Sequence, residues 1–230
     1  MNILTNIRWV AESAPTTKGW LEMVALAGKD EIARSYARSH LESDRTWEAI
    51  WLAAGVGKPL DLTRANLREV CLFQANLKKG NLDYADLYMA DLKGADLKGA
   101  KLIRANLYMA DLKGADLKGV DLTAADLRGA KWGKADLSGA DLTRASLYRA
   151  KLAGAILKEA ILKEAILHGA TLTGADLREA NLTSVDLTGA DLTGASIYRA
   201  NLSGTILKGT ILDHLNLNEI DLRSRLPFQG

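Results

Sequence analysis

Aspartate recurs through this chain one residue before leucine, as in "ADLKG", "ADLTR" and "VDLTG". Carboxylates are common agents of proton transfer and hard-metal binding. Such chemistry needs a few carboxylates set apart from their surroundings, whereas these keep one placement throughout. Repetition, not reactivity, accounts for them. Other reactive side chains are sparse. His40, His168 and His214 are the only histidines and Cys71 the only cysteine, and no Cys/His spacing suits a metal. No phosphate-binding loop, dinucleotide fingerprint or nucleophile elbow is present. The glycines of "GADLKGAD" fall too regularly for a phosphate cradle and read as corners. No catalytic residue, metal ligand or cofactor is expected, and the outward side chains are left with noncovalent recognition.

The element that places all these groups is a unit of five residues. From Leu62 to Leu222 every fifth residue is leucine, except Trp132 and Ile197. The position two residues earlier is alanine in 24 of the 33 pentads, which run from Leu60 to Ser224 without an insertion. The stretch "AILKEAILKEAILHG", Ala155 to Gly169, consists largely of strong helix formers. Five steps at about 100° would nevertheless scatter Leu157, Leu162 and Leu167 around a helix. In an extended segment, Ala and Leu two residues apart face the same way and the intervening Asp faces out. The odd fifth residue breaks that alternation and forces a turn. Short extended pieces separated by turns, always with an apolar side inward, describe a chain coiling around its own core. This reasoning leaves the number of sides open.

The pattern [A/V]-[D/N]-L-x-x, seen in "ANLRE", "ADLKG", "VDLTG" and "ADLTR", resembles the pentapeptide-repeat family. The resemblance implies a mainly β fold, a right-handed quadrilateral β-helix with four pentads per coil. That gives about eight coils and, at one strand spacing per coil, a rod roughly 40 Å long. The Leu and Ala columns would face in and the other three residues of each pentad out. Cys71 lies at one of the outward positions.

Residues 1–59 differ in character. They hold four of the five tryptophans, Trp9, Trp20, Trp47 and Trp51, and no pentad frame. Several short helices can be read; in one, Asp44 caps a run in which Trp47, Ile50, Trp51 and Ala54 share a face before Gly55. The segment is expected to be helical, serving either to cap the first coil or to bind a partner. The pentad array is assigned to 60–224 and a tail to 225–230. At the far end Leu215 and Ile220 replace Ala, which suits either a sealed last coil or end-to-end pairing. There is no apolar run long enough to span a membrane. The N-terminus lacks the pattern of a signal peptide, and a lone cysteine suits a reducing cytoplasm, the expected location.

Stacking residues twenty apart, as four pentads per coil requires, sorts the outer surface into columns. Tyr88, Tyr108, Arg128, Tyr148 and His168 fall in one, beside Met89, Met109, Gly129, Arg149 and Gly169. Aromatic, Met and Arg side chains in one strip are what protein interfaces favour, although stacked tyrosines also stabilise a sheet. A second column holds Lys78, Lys98, Lys118, Ser138, Lys158 and Arg178, with Asp96, Asp116, Asp136 and Asp176 alongside, so the two should compensate. Ile156, Ile161 and Ile166 replace Asp or Asn on three successive faces, as strand-compatible drift or as a docking belt.

The expected function is a non-enzymatic protein-interaction scaffold. Its unidentified protein partner would bind Tyr88, Met89, Tyr108, Met109, Arg128, Tyr148 and Arg149, with the Ile belt as a second contact. The chain would be a monomer or an end-to-end homodimer, and DNA binding is not expected. The resemblance also brings an alternative, since some family members mimic DNA and modulate type II topoisomerases. Mimicry needs a strongly acidic surface, whereas residues 60–224 carry 22 basic and 21 acidic side chains, and the frame has no projecting loops.

Overall fold

Five residues leave room for one short extended piece and one reversal. The structure, a computed structural model that describes residues 61–213, makes the reversal a β-turn in each pentad. The Ala65 N–H donates to the Leu62 carbonyl at 2.9 Å, Ala75 to Leu72 at 3.0 Å and Ala85 to Leu82 at 3.0 Å, and this bond recurs along the array. At every fifth residue from Arg64 to Gly209 φ is positive, between 53° and 73°. Positive φ at the third turn residue alone is the type II signature. Glycine takes that conformation freely, yet Arg, Glu, Lys, Tyr and Met also adopt it here.

Successive coils then lock in register. Parallel bridges join residues twenty apart, from Asp61 with Asn81 to Asp186 with Ile206, so four turns close each coil. Three backbone bonds per pentad cross between coils. In one pentad, Leu87 N–H reaches Asn106 O at 2.7 Å, Met89 N–H reaches Tyr108 O at 2.9 Å, and Asp86 N–H reaches Ala65 O at 2.9 Å. Each extended piece contributes a single bridging residue, and no longer strand forms among the described residues. The β character anticipated from the sequence is present in this minimal form. The anticipated helices within 1–59, the Leu215 and Ile220 seal and the 225–230 tail lie outside the described residues.

The Leu and Ala columns form one continuous core. Leu67 through Leu192 are buried at nearly every repeat, as are the alanines from Ala75 to Ala200. Each buried leucine contributes on the order of 2 kcal/mol of transfer free energy, and the columns repeat it along the axis. Trp132 sits in the Leu column, fully buried, as its position in the frame requires. Its indole N–H is buried without a hydrogen-bond partner, because the neighbouring layers of Leu and Ala offer no side-chain acceptor.

Two glycines separate the conformational from the steric part of the turn requirement. A Cβ at Gly114 would meet nothing within 4 Å, whereas one at Gly129 would lie 2.6 Å from Met109 Sδ. Gly114→Ala should lower stability by about 1 kcal/mol through positive φ alone, and Gly129→Ala should lower it by a similar amount, because the exposed Met109 thioether can swing aside. Urea midpoints check this, and a Gly114→Ala midpoint equal to that of the wild type would contradict it.

Candidate interaction surface

The outward Asp and Asn residues have a backbone task. In each of the nineteen described pentads with Asp or Asn before Leu, that residue's Oδ1 accepts the N–H two residues on, at 2.9 to 3.4 Å. This local side-chain bond satisfies the one pentad N–H that neither the ladder nor the turn uses. Where another residue type stands there, no such bond forms from its side chain. The gap is longest over six consecutive pentads, Ser146, Lys151, Ile156, Ile161, Ile166 and Thr171. Sequence reasoning explained these aspartates by repetition and missed their role as caps. The Asx-x-x spacing of turn residues was the available signal.

Charge is largely spent within the surface. Lys78 pairs with Asp96 of the next coil at 2.9 Å, Lys98 with Asp116 at 3.0 Å and Lys118 with Asp136 at 2.8 Å. The basic and acidic columns compensate as the sequence predicted. Burial raises the Asp96 and Asp136 carboxyls, but the Lys78 and Lys118 ammonium groups and the local donors hold both below the ordinary carboxylate value. The Arg178 guanidinium lowers Asp176 in the same way, and Thr188 lowers Asp186. Among the described residues no cluster of His, Cys, Asp or Glu could hold a metal ion, and the exposed Cys71 is free.

On the side that begins at Asn66, the predicted column forms two groups in contact, Tyr88–Tyr108–Arg128 and Tyr148–His168. Tyr88 and Tyr108 lie with ring centroids 5.8 Å apart, and Tyr148 stacks on His168 at 5.5 Å and 21°. Guanidinium groups close the rings from either end. Arg68 stands 4.1 Å from the Tyr88 centroid, Arg128 5.2 Å from that of Tyr108 and Arg149 5.1 Å from that of Tyr148. Cation–ring contacts of this kind are worth about 0.5–1 kcal/mol at exposed sites. Arg68 also pairs with Asp86 at 2.9 Å, and both ends of the Arg128 fork engage Asp126. Met89, Met109, Tyr108 and Tyr148 are exposed, and Tyr88 is half-buried. Sequence reasoning missed Arg68, although counting back twenty from Tyr88 reaches it.

The structure brings Tyr88, Met89, Tyr108, Met109, Arg128, Tyr148 and Arg149 together on one side, but it does not gather the isoleucines. Ile156, Ile161 and Ile166 are exposed by 38%, 40% and 45%, each on a different side of the coil. Only Ile166 shares the aromatic side, bridged between Ser146 and Asp186 and one residue from the core leucine that precedes His168. The three make a ring around the coil, with no common patch.

A family model described as "Pentapeptide repeats" matches residues 81–119, 121–158, 145–183 and 186–223, in eight copies. Several solved structures are similar. HetL from the cyanobacterium Nostoc sp., involved in heterocyst differentiation regulation, is 38% identical over 67% of this chain and 77% of its own, with a TM-score of 0.39. A protein of the Arabidopsis thaliana thylakoid lumen is 37% identical over 43% of this chain and 65% of its own, with a TM-score of 0.35. QnrB1, a plasmid-mediated fluoroquinolone resistance protein, is 22% identical over 70% of this chain and 83% of its own, with a TM-score of 0.37. No curated protein matches.

The cap can be tested where no ion pair complicates it. Asp141 Oδ1 accepts the Thr143 N–H at 2.9 Å. Asp141→Ala should cost about 1 kcal/mol by leaving that donor open, while Asp141→Asn should be nearly neutral. Equal losses for both variants in urea titration would remove the capping role. The lowered carboxyls add a pH dependence. Their stabilisation is complete above the ordinary carboxylate range and drains away as pH falls through their lower folded values. The urea midpoint should stay level down to about pH 5 and drop below about pH 4; a midpoint that rises on acidification would contradict this.

Proposed function

Since the chain belongs to the pentapeptide-repeat family, we propose that it is a non-enzymatic protein-interaction scaffold whose aromatic side receives a protein partner. The carrying observation is one column holding two contact groups, Tyr88–Tyr108–Arg128 and Tyr148–His168, flanked by exposed Met89 and Met109. Tyr, Arg and Met are the residue types that concentrate binding energy at protein interfaces. The ring and guanidinium contacts within each group restrain the rings before a partner arrives, which reduces the ordering cost of association. Catalysis has no part in this reading. On the same reading the coils wind right-handed with a square section. Residues 1–59 form a separate segment before the array and residues 225–230 a tail, and the chain works in the cytoplasm as a monomer or an end-to-end homodimer. Ile156, Ile161 and Ile166 are secondary contacts, with Ile166 beside the aromatic column.

The DNA-mimic alternative draws no support from the surface. A mimic must present uncompensated negative charge, and the Asp columns here lie against Lys78, Lys98 and Lys118. Among the described residues no helix is long and apolar enough to cross a membrane.

Affinity capture from a lysate of the native host compares the wild type with Tyr88→Ala/Tyr108→Ala/Tyr148→Ala, circular dichroism verifying that both are folded. A specific partner held by the wild type and lost by the triple variant is expected. A partner held equally by both would remove the aromatic side from the function.

A further inference from the structure

Three lysines occupy the pentad position that Asp or Asn fills elsewhere in the described array: Lys101, Lys131 and Lys151. Each leaves without its own cap the N–H two residues on. At Lys101 the array repairs the loss, because Asp83 Oδ1 of the preceding coil accepts the Ile103 N–H at 2.8 Å. At Lys131 and Lys151 it does not. Among the described residues the Gly133 and Ala153 N–H groups have no acceptor, and Lys134 N–H lacks the bond to the next coil that Gly114 and Gly154 make at 3.1 and 2.9 Å.

The surroundings of these three amides depart from the rest of the array in further respects. Lys131 and Lys151 bridge each other in register, so two ammonium side chains rise from adjacent strands about 4.8 Å apart, a destabilising arrangement for like charges. The acid near them is Asp111, 3.8 Å from Lys131 and shared with Lys113 at 4.0 Å. The side chains over the open amides are the smallest in the set, Gly133 and Ala153. Neither backbone nor packing demands that glycine, since its φ is not positive and a Cβ there would make only ordinary contacts at 3.8 Å. What the small residues provide is access. Arg149, at the corner two residues before Lys151, joins this side to the aromatic one.

We infer that the strip over Gly133, Lys134 and Ala153 binds a carboxylate side chain of a protein partner. At Gly133 and Ala153 its oxygens take the acceptor place that Asp or Asn fills in the capped pentads, at Lys134 they replace the missing carbonyl of the next coil, and Lys131 and Lys151 supply the balancing charge. A carboxylate is the favoured oxyanion because it is the group that already makes this bond on the rest of the surface. The inference rests on the scaffold reading and adds what the partner carries: an acidic residue placed to lie around the corner from the aromatic column.

The test uses the full chain, labelled with ¹⁵N and titrated with an end-blocked tetra-aspartate peptide, with inorganic phosphate at matched ionic strength in a parallel arm. The peptide should shift the Gly133, Lys134 and Ala153 amides saturably and leave Ile103 in place. Lys131→Asn/Lys151→Asn should weaken that binding by about tenfold or more, since it removes the charge and supplies an internal acceptor. The double variant should fold, because Asn66, Asn76, Asn81, Asn106, Asn181 and Asn201 already cap from this position. Absence of a saturable shift, equal affinity in the double variant, an equal shift at Ile103, or phosphate binding as tightly as the peptide would each overturn the assignment. None of these outcomes depends on the tyrosines, so failure here and failure of the aromatic side remain distinguishable.

Discussion

Every pentad must place five backbone N–H groups, and the rest of the molecule follows from how it does so. An unpaired backbone donor away from water costs as much as a lost hydrogen bond, and a unit this short cannot close a ladder within itself. Three donors therefore cross to neighbouring coils, one closes the turn, and the fifth is taken by the Asp or Asn side chain. The twenty-residue register follows, because only a chain that returns in phase can make the crossing bonds at every pentad. The left-handed residue before Ala follows as well: it turns the chain between one crossing bond and the next.

This accounting decides what the surface can do. The aspartates that look like a reservoir of acid–base groups are committed to backbone donors, and many are held a second time by a lysine or arginine. The lysine columns are engaged with them. On the proposed reading, the tyrosines, the methionines beside them and some of the pentads that lack their own cap are what remain for recognition. A missing cap has different consequences depending on what replaced it. Isoleucine offers a donor only an apolar neighbour, whereas lysine sets a positive charge beside it.

Much of the fold was legible because a period of five is incompatible with a helix and leucine marks the inward position almost without exception. The four-pentad coil that the family resemblance implied placed Tyr88, Tyr108 and Tyr148 in one column, because columns depend on the twenty-residue register. Charge compensation between Lys98 and Asp116 was readable for the same reason. Local hydrogen bonding was not. Regular repetition made Asp96 or Asp141 look uninformative, while its information lay in the amide two residues ahead. Nor could the frame reveal that Asp83 would cap Ile103 across a coil, since that depends on a side-chain direction. The isoleucines, by contrast, were placed on three successive faces from the sequence, and they lie on three different sides of the coil.

The most direct measurement is native-state hydrogen exchange at the amide following each core leucine. Arg128 and Tyr148 occupy the same column, the first capped by Asp126 at 3.2 Å and the second following Ser146, which makes no such bond. The account predicts slow exchange at Arg128 and its eighteen capped counterparts. It predicts fast exchange at Tyr148, Ala153, Lys158, Lys163, His168 and Thr173. Uniform protection of both groups would contradict it, because the outward Asp and Asn would then hold nothing that the backbone requires.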